Sequence, residues 1–153
     1  MKSDLKNPNA NKRTDMKAGL IAGFIASAIS LLFLAFTTWM ALIPEFNYVL
    51  IQGSIFGFTK TIFSGWVIYF LIGTVFWGSF YAGLDPYLLS PNSVTRGIIF
   101  GLIVWLIVMI VLMPIAGVGI FLEQYGYLAA IVILISDLVF GVSIAYFYNR
   151  LRR

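Results

Sequence analysis

Four long stretches of the chain are apolar all round, and short polar segments separate them. The first covers 18–43, starting after Lys17 and stopping at Pro44-Glu45. The second covers 62–84, between Lys60 and Asp85-Pro86. The third covers 97–116, from just after Arg96 past Pro114, and the fourth covers 127–148 and ends at Asn149-Arg150. Each is long enough for the roughly 20 residues that an α-helix needs to cross a hydrocarbon core of about 30 Å. A β-barrel would show short segments of alternating polarity, and these runs show none. The pattern predicts an all-α polytopic membrane protein, a four-helix bundle forming a single domain over 18–149.

The connection between the first two spans does not read as a free loop. It carries Phe46, Tyr48, Val49, Leu50, Ile51, Ile55, Phe56 and Phe58, broken by Gly53 and Gly57. That is too apolar for open solvent and too short for another crossing. A short interfacial or re-entrant helix is expected, with a packed loop capping the bundle as the alternative.

Composition sharpens the picture. Of the 153 residues, 61% are apolar and only 10% charged, with a mean hydropathy of +0.96. A soluble domain is about 45–50% apolar and about 25% charged, so the solvent for most of this chain must be lipid. There is no cysteine and no histidine. Disulfides, thiolate catalysis, zincin motifs, histidine haem ligation and imidazole proton shuttles are therefore excluded.

Charge placement sets an expected orientation. Of the ten basic residues, Lys2, Lys6, Lys12, Arg13, Lys17, Arg96, Arg150, Arg152 and Arg153 fall on one side of a four-span topology. The other side has Lys60, with Glu45 and Glu123. By the positive-inside rule both termini are cytoplasmic, and a bacterial inner membrane is the expected location. The segment 1–17 reads as a disordered basic tail and 150–153 as a basic end. The same excess accounts for the basic pI of 9.5, and no basic stripe interleaved with stacking aromatics points to nucleic acid. A cleaved signal peptide would have an apolar core of about 7–15 residues. The first run is much longer, so it is expected to be a retained helix.

Helices in lipid associate through small residues and interhelical hydrogen bonds. Gly19 and Gly23 open the first span, Gly97 and Gly101 open the third, Gly73, Gly78 and Gly83 punctuate the second, and Gly141 sits in the fourth. Gly19, Gly23, Gly73, Gly97, Gly101 and Gly141 are expected to pack the bundle internally, with homodimerisation as the alternative. The matching starts of spans one and three hint at a two-plus-two duplication. Trp39, Trp66, Tyr125, Tyr127, Tyr146 and Tyr148 sit near span ends as an interfacial belt would, and Trp77 and Trp105 lie deeper.

Asp137 stands halfway along the fourth span. A mid-bilayer aspartate costs roughly 2.5–3.5 kcal/mol to insert, and each Leu, Ile, Val or Phe returns about 0.3–0.6 kcal/mol. The span has twelve of those, so it inserts, but with Asp137 facing inward. Its candidate partners at that depth are Ser27 or Ser30 on the first span and Tyr69, Thr74 or the Trp77 indole on the second. With no lysine or arginine at that depth, burial favours the neutral acid. One reading is a carboxyl hydrogen-bonding two helices together; the other is a proton or cation site.

The remaining acids, Asp4, Asp15, Glu45, Asp85 and Glu123, are scattered. They form neither a paired-carboxylate site nor an oxygen-ligand metal cluster. Asp85, Ser90, Asn92 and Arg96 read as an ordinary turn-rich loop. No enzyme, metal or cofactor is expected.

Three segments resemble a group of small four-helix bacterial inner-membrane proteins, the YagU-like group. They are Gly78-Ser-Phe-Tyr81-Ala82, Gly97-Ile-Ile-Phe-Gly101 with its continuation to Trp105 and Pro114 to Phe121, and Asp137-Leu-Val-Phe-Gly141. The resemblance implies the fold and no activity. On sequence alone the chain is expected to be a non-enzymatic accessory or assembly subunit of a membrane complex. The alternative is a small proton- or cation-linked transporter or channel using Asp137. Its expected partners are the lipid bilayer and other membrane subunits or copies of itself.

Overall fold

The computed structural model describes residues 14–43, 45–57, 62–88 and 90–152. Most of the basic tail (1–13), Pro44, Lys60 and Arg153 lie outside the described residues. Four helices are long and apolar enough to cross a membrane: α1 (Met16–Trp39), α3 (Phe63–Tyr87), α4 (Ser93–Ile115) and α5 (Tyr127–Leu151). A short fifth, α2 (Tyr48–Ile55), precedes α3. The chain is a multi-pass membrane protein folded as a four-helix bundle.

Side-chain caps explain where helices begin. Asp15 accepts from the Ala18 N–H at 3.0 Å, Asn47 from the Leu50 N–H at 3.2 Å and Asn92 from the Val94 N–H at 3.0 Å. Asx caps satisfy helix N–H groups that lack intrahelical partners. They start α1 and α4 ahead of the apolar runs, which places Arg96 inside α4 rather than before it. At its other end α1 stops at Trp39, short of the expected boundary, and Ala41 takes a left-handed φ of 49°.

The start of α1 and the end of α5 meet, because the Asp15 N–H donates to the Tyr148 hydroxyl at 3.2 Å. This "near end" also holds the α3–α4 connection. At the far end lie α2 and the α4–α5 connection, where Gly119, Phe121, Leu122 and Gly126 all have positive φ.

Glycines let two helix pairs approach closely. On the α1–α3 seam, a methyl added to Gly19 would stand 2.6 Å from the Gly78 carbonyl oxygen. One added to Gly23 would stand 2.7 Å from that of Gly73. On the α4–α5 seam, a methyl on Gly97 would meet the Gly141 oxygen at 2.6 Å, and one on Gly101 the Asp137 oxygen at 2.5 Å. The two halves of the chain thus use one packing device. Between them, α1 and α5 are joined by the Ser30 hydroxyl donating to the Ser136 carbonyl at 2.8 Å.

Two π-helical turns interrupt the spans, Ile72–Trp77 in α3 and Val108–Leu112 in α4. Outward faces carry Leu32, Phe36, Phe63, Phe76 and Ile110, as lipid exposure requires. Trp39, Trp66, Tyr127 and Tyr146 are exposed near span ends, as a belt would be, but Tyr148 is fully buried. It departs from the expected belt because its ring packs on Tyr81, with centroids 5.3 Å apart. Tyr125 is half-buried and packs edge-on against Phe46.

Candidate functional site

Asp137 is 7% exposed and faces the bundle interior. By helical rise it lies about 15 Å along α5 from Tyr127, near mid-span. It borders a cavity of about 20 Å³ together with Ser27 and Ser30 from α1, Tyr48 and Gln52 from α2, Tyr69, Ile72, Gly73 and Trp77 from α3, Val104 from α4, and Phe140. That volume accommodates about one water-sized sphere.

α2 is the unexpected contributor. Tyr48, Val49, Ile51, Gln52 and Gly53 are buried on this eight-residue helix, so it is inserted into the bundle and does not lie along its surface. Gly65 of α3 leaves room for it, since a methyl there would sit 2.8 Å from the Val49 carbonyl oxygen. The Gln52 side-chain N–H donates to the Tyr48 hydroxyl at 2.8 Å.

The hydrogen bonds of this region are unevenly filled. The Ser27 hydroxyl donates to the Gly23 carbonyl at 2.8 Å, and Ser30 is satisfied across α1 and α5. Asp137 Oδ2, Gln52 Oε1 and Thr74 Oγ1 are buried with no hydrogen-bond partner among the described residues. Leaving a buried polar atom unpaired costs about 1–3 kcal/mol, more if charged, so such atoms need a reason to exist.

Of the residues singled out in the sequence, Ser30, Tyr69, Trp77 and Asp137 border one cavity, and Ser27 joins them. Thr74 lies in the same π turn as Ile72, Gly73 and Trp77 but does not border the cavity. Sequence reasoning missed Tyr48 and Gln52. The available signal was a pair of polar side chains four residues apart in an otherwise apolar connection.

A second polar cluster corrects the expected loop. Asp85 is fully buried in the last turn of α3 and Arg96 is buried in the first turn of α4. Arg96 Nη1 donates to Asp85 Oδ1 at 2.6 Å and Arg152 Nη1 to Asp85 Oδ2 at 2.7 Å. The Tyr81 hydroxyl donates to Asp85 Oδ1 at 3.3 Å, and the Arg152 guanidinium lies 4.9 Å from the centre of the Tyr148 ring. Low-dielectric surroundings make such a pair strong only because both carboxylate oxygens are used. Ser90 and Asn92 stay in the connection, bonded to each other. The cue for this cluster was the single acid between spans on the arginine-rich side.

Among the described residues no three His, Cys, Asp or Glu side chains gather as a multidentate metal site. The polar centre is one carboxyl among hydroxyls and an amide.

No curated protein and no solved structure matches the chain. A model for a family of unknown function, DUF6789, matches residues 13–153. That match covers the whole bundle, including Asp137 and the Asp85 cluster, and the chain belongs to the DUF6789 family.

Proposed function

We propose that the protein is a non-enzymatic, multi-pass protein of the bacterial inner membrane, with both termini in the cytoplasm, that acts as a small proton- or cation-linked transporter or channel with Asp137 as its binding carboxyl. One observation carries the reading: Asp137 Oδ2 is buried at mid-span, without a partner among the described residues, at a cavity bordered by hydroxyl and amide groups. Intramembrane carboxyls in such positions mark ion and proton pathways. The π turn at Ile72–Trp77 borders the same cavity through Ile72, Gly73 and Trp77, and π turns recur at functional sites.

Reconstitution into proteoliposomes with imposed proton, sodium or potassium gradients tests this. Wild type should dissipate at least one gradient, and Asp137→Asn should not while keeping its helical circular dichroism and its elution in detergent. A wild-type protein that passes none of these ions rules the reading out.

The second reading is an accessory or assembly subunit. Two apolar grooves in the far half favour it, one of about 460 Å³ bordered by Leu34, Trp39, Phe46 and Trp66, the other of about 550 Å³ bordered by Trp105, Phe121 and Tyr127. Large apolar hollows are where membrane partners seat. A stoichiometric partner retained in mild detergent would favour it, and a clean monomer would count against it.

A further inference from the structure

We infer that the Asp137 cavity binds one singly charged cation of water size, sodium or hydronium, held by Asp137 and Gln52 and reached from the far end beneath α2. This rests on the reading of Asp137 as a binding carboxyl.

Size comes first. A cavity of about 20 Å³ has room for roughly one water, which excludes organic substrates and hydrated ions. Charge comes next. Among the described residues Asp137 is the one acid bordering the cavity, and no lysine or arginine borders it. A monovalent cation neutralises it, whereas a divalent ion would leave a net positive charge in the low-dielectric interior.

Donor chemistry agrees. Ser27 spends its hydroxyl hydrogen on the Gly23 carbonyl and Ser30 spends its own on the Ser136 carbonyl while accepting from the Ser136 hydroxyl, so neither offers a hydrogen to the cavity and each keeps acceptor capacity. Gln52 spends an N–H on Tyr48 and keeps Oε1. The unpaired atoms bordering the cavity are therefore acceptors, and hard oxygen donors suit a small hard cation. Turning the Gln52 amide over would place an N–H there instead, which is the alternative that Gln52→Leu probes.

The access side follows from what blocks each end. Towards the near end, Trp77 and Phe140 border the cavity, and Phe100, Tyr81 and Tyr148 are fully buried behind them. Tyr81 meets Phe100 at 4.9 Å between ring centres, and the Asp85 ion pairs close that end. Towards the far end stands the eight-residue α2. No comparable stack of buried rings or ion pairs borders the cavity on that side among the described residues.

Among the described residues the ionisable groups bordering the cavity beside Asp137 are the Tyr48 phenol from α2 and the Tyr69 phenol from α3; α1 brings Ser27 and Ser30, and α4 brings Val104. Asp137 is thus the group whose occupancy sodium and protons would contest.

The test is thermal unfolding of the purified full chain in detergent, followed by circular dichroism. Sodium, potassium, choline and calcium chlorides are compared at constant ionic strength and pH, and choline alone across pH. A rise in the midpoint with sodium identifies sodium as the ligand; a rise on acidification in choline that Gln52→Leu weakens identifies a proton carried with water, beyond plain protonation of the carboxyl. Asp137→Asn should abolish the response, and Gln52→Leu should weaken the apparent affinity about tenfold or more. Three results overturn the inference: no response to either, calcium stabilising as well as sodium, or a full response in Asp137→Asn. If Asp137→Asn does not fold, the wild-type salt comparison and Gln52→Leu decide. A cation response without flux removes the transport reading and leaves the site; flux without a cation response removes the site.

Discussion

Arg152 Nη1 lies 2.7 Å from Asp85 Oδ2, across 67 residues of sequence. The pair ties the end of α5 to the end of α3, and Arg96 draws in the start of α4 through the other carboxylate oxygen. α1 joins through the Asp15 N–H on Tyr148, whose ring lies against Arg152. All four spans therefore meet at one buried carboxylate and one buried phenol.

Asp85→Ala should be among the most damaging single changes. It leaves two largely buried guanidiniums without their acceptor, a loss of about 3–5 kcal/mol. Replacing Asp85, Arg96 and Arg152 together by apolar residues of similar volume should cost less. Denaturant-induced unfolding in detergent would show it, and a single variant as stable as wild type would refute the clamp.

The glycine seams predict a contrast within one residue type. Gly101→Val would drive side-chain atoms into the Asp137 backbone, at a cost of at least about 1–3 kcal/mol. A Cβ added at Gly83 meets nothing within 4 Å, so Gly83→Val should be nearly neutral by comparison. Equal stabilities for the two variants would contradict the seam.

Ser30→Ala removes the α1–α5 hydroxyl contact. Interhelical hydrogen bonds in lipid average about 0.6 kcal/mol, so a loss of that order is expected. Ser136→Ala should add less than its own single effect, because the two hydroxyls share one bond. Additive losses would mean that the serines act separately.

Orientation can be read from two labels. The chain has no cysteine, so Thr14→Cys and Gln124→Cys, both at exposed positions on opposite ends, each carry one thiol. With cytoplasmic termini, a membrane-impermeant maleimide added to intact cells labels Gln124→Cys alone. The reverse pattern would invert the topology.

The spans were legible because twenty or so uninterrupted apolar residues leave lipid as the only solvent. Asp137 was legible as an inward-facing group because exposing it to acyl chains is costly. Its neighbours on α1 and α3 could be guessed from depth alone. Gln52 could not, because depth says nothing of a short helix folding back into the bundle. Asp85 and Arg96 were misjudged because Asp-Pro and Ser-Pro-Asn are turn signals whether or not their side chains are buried. Their pairing depends on Arg152, whose position is fixed only once α5 has packed.

Gly73, Gly78 and Gly83 are spaced by five, a spacing an α-helix would scatter around its circumference. The π winding of Ile72–Trp77 brings the first two into line against Gly23, and ordinary winding beyond it turns Gly83 away. Deleting one residue within 72–77 would restore 3.6 residues per turn and rotate everything downstream by about 100°. Gly78 would leave α1 and Asp85 would swing off its arginines, while Tyr69 kept its place. That single surplus residue sets the phase between the helix's two halves, and homologous chains should preserve its length more strictly than the identity of its outward side chains.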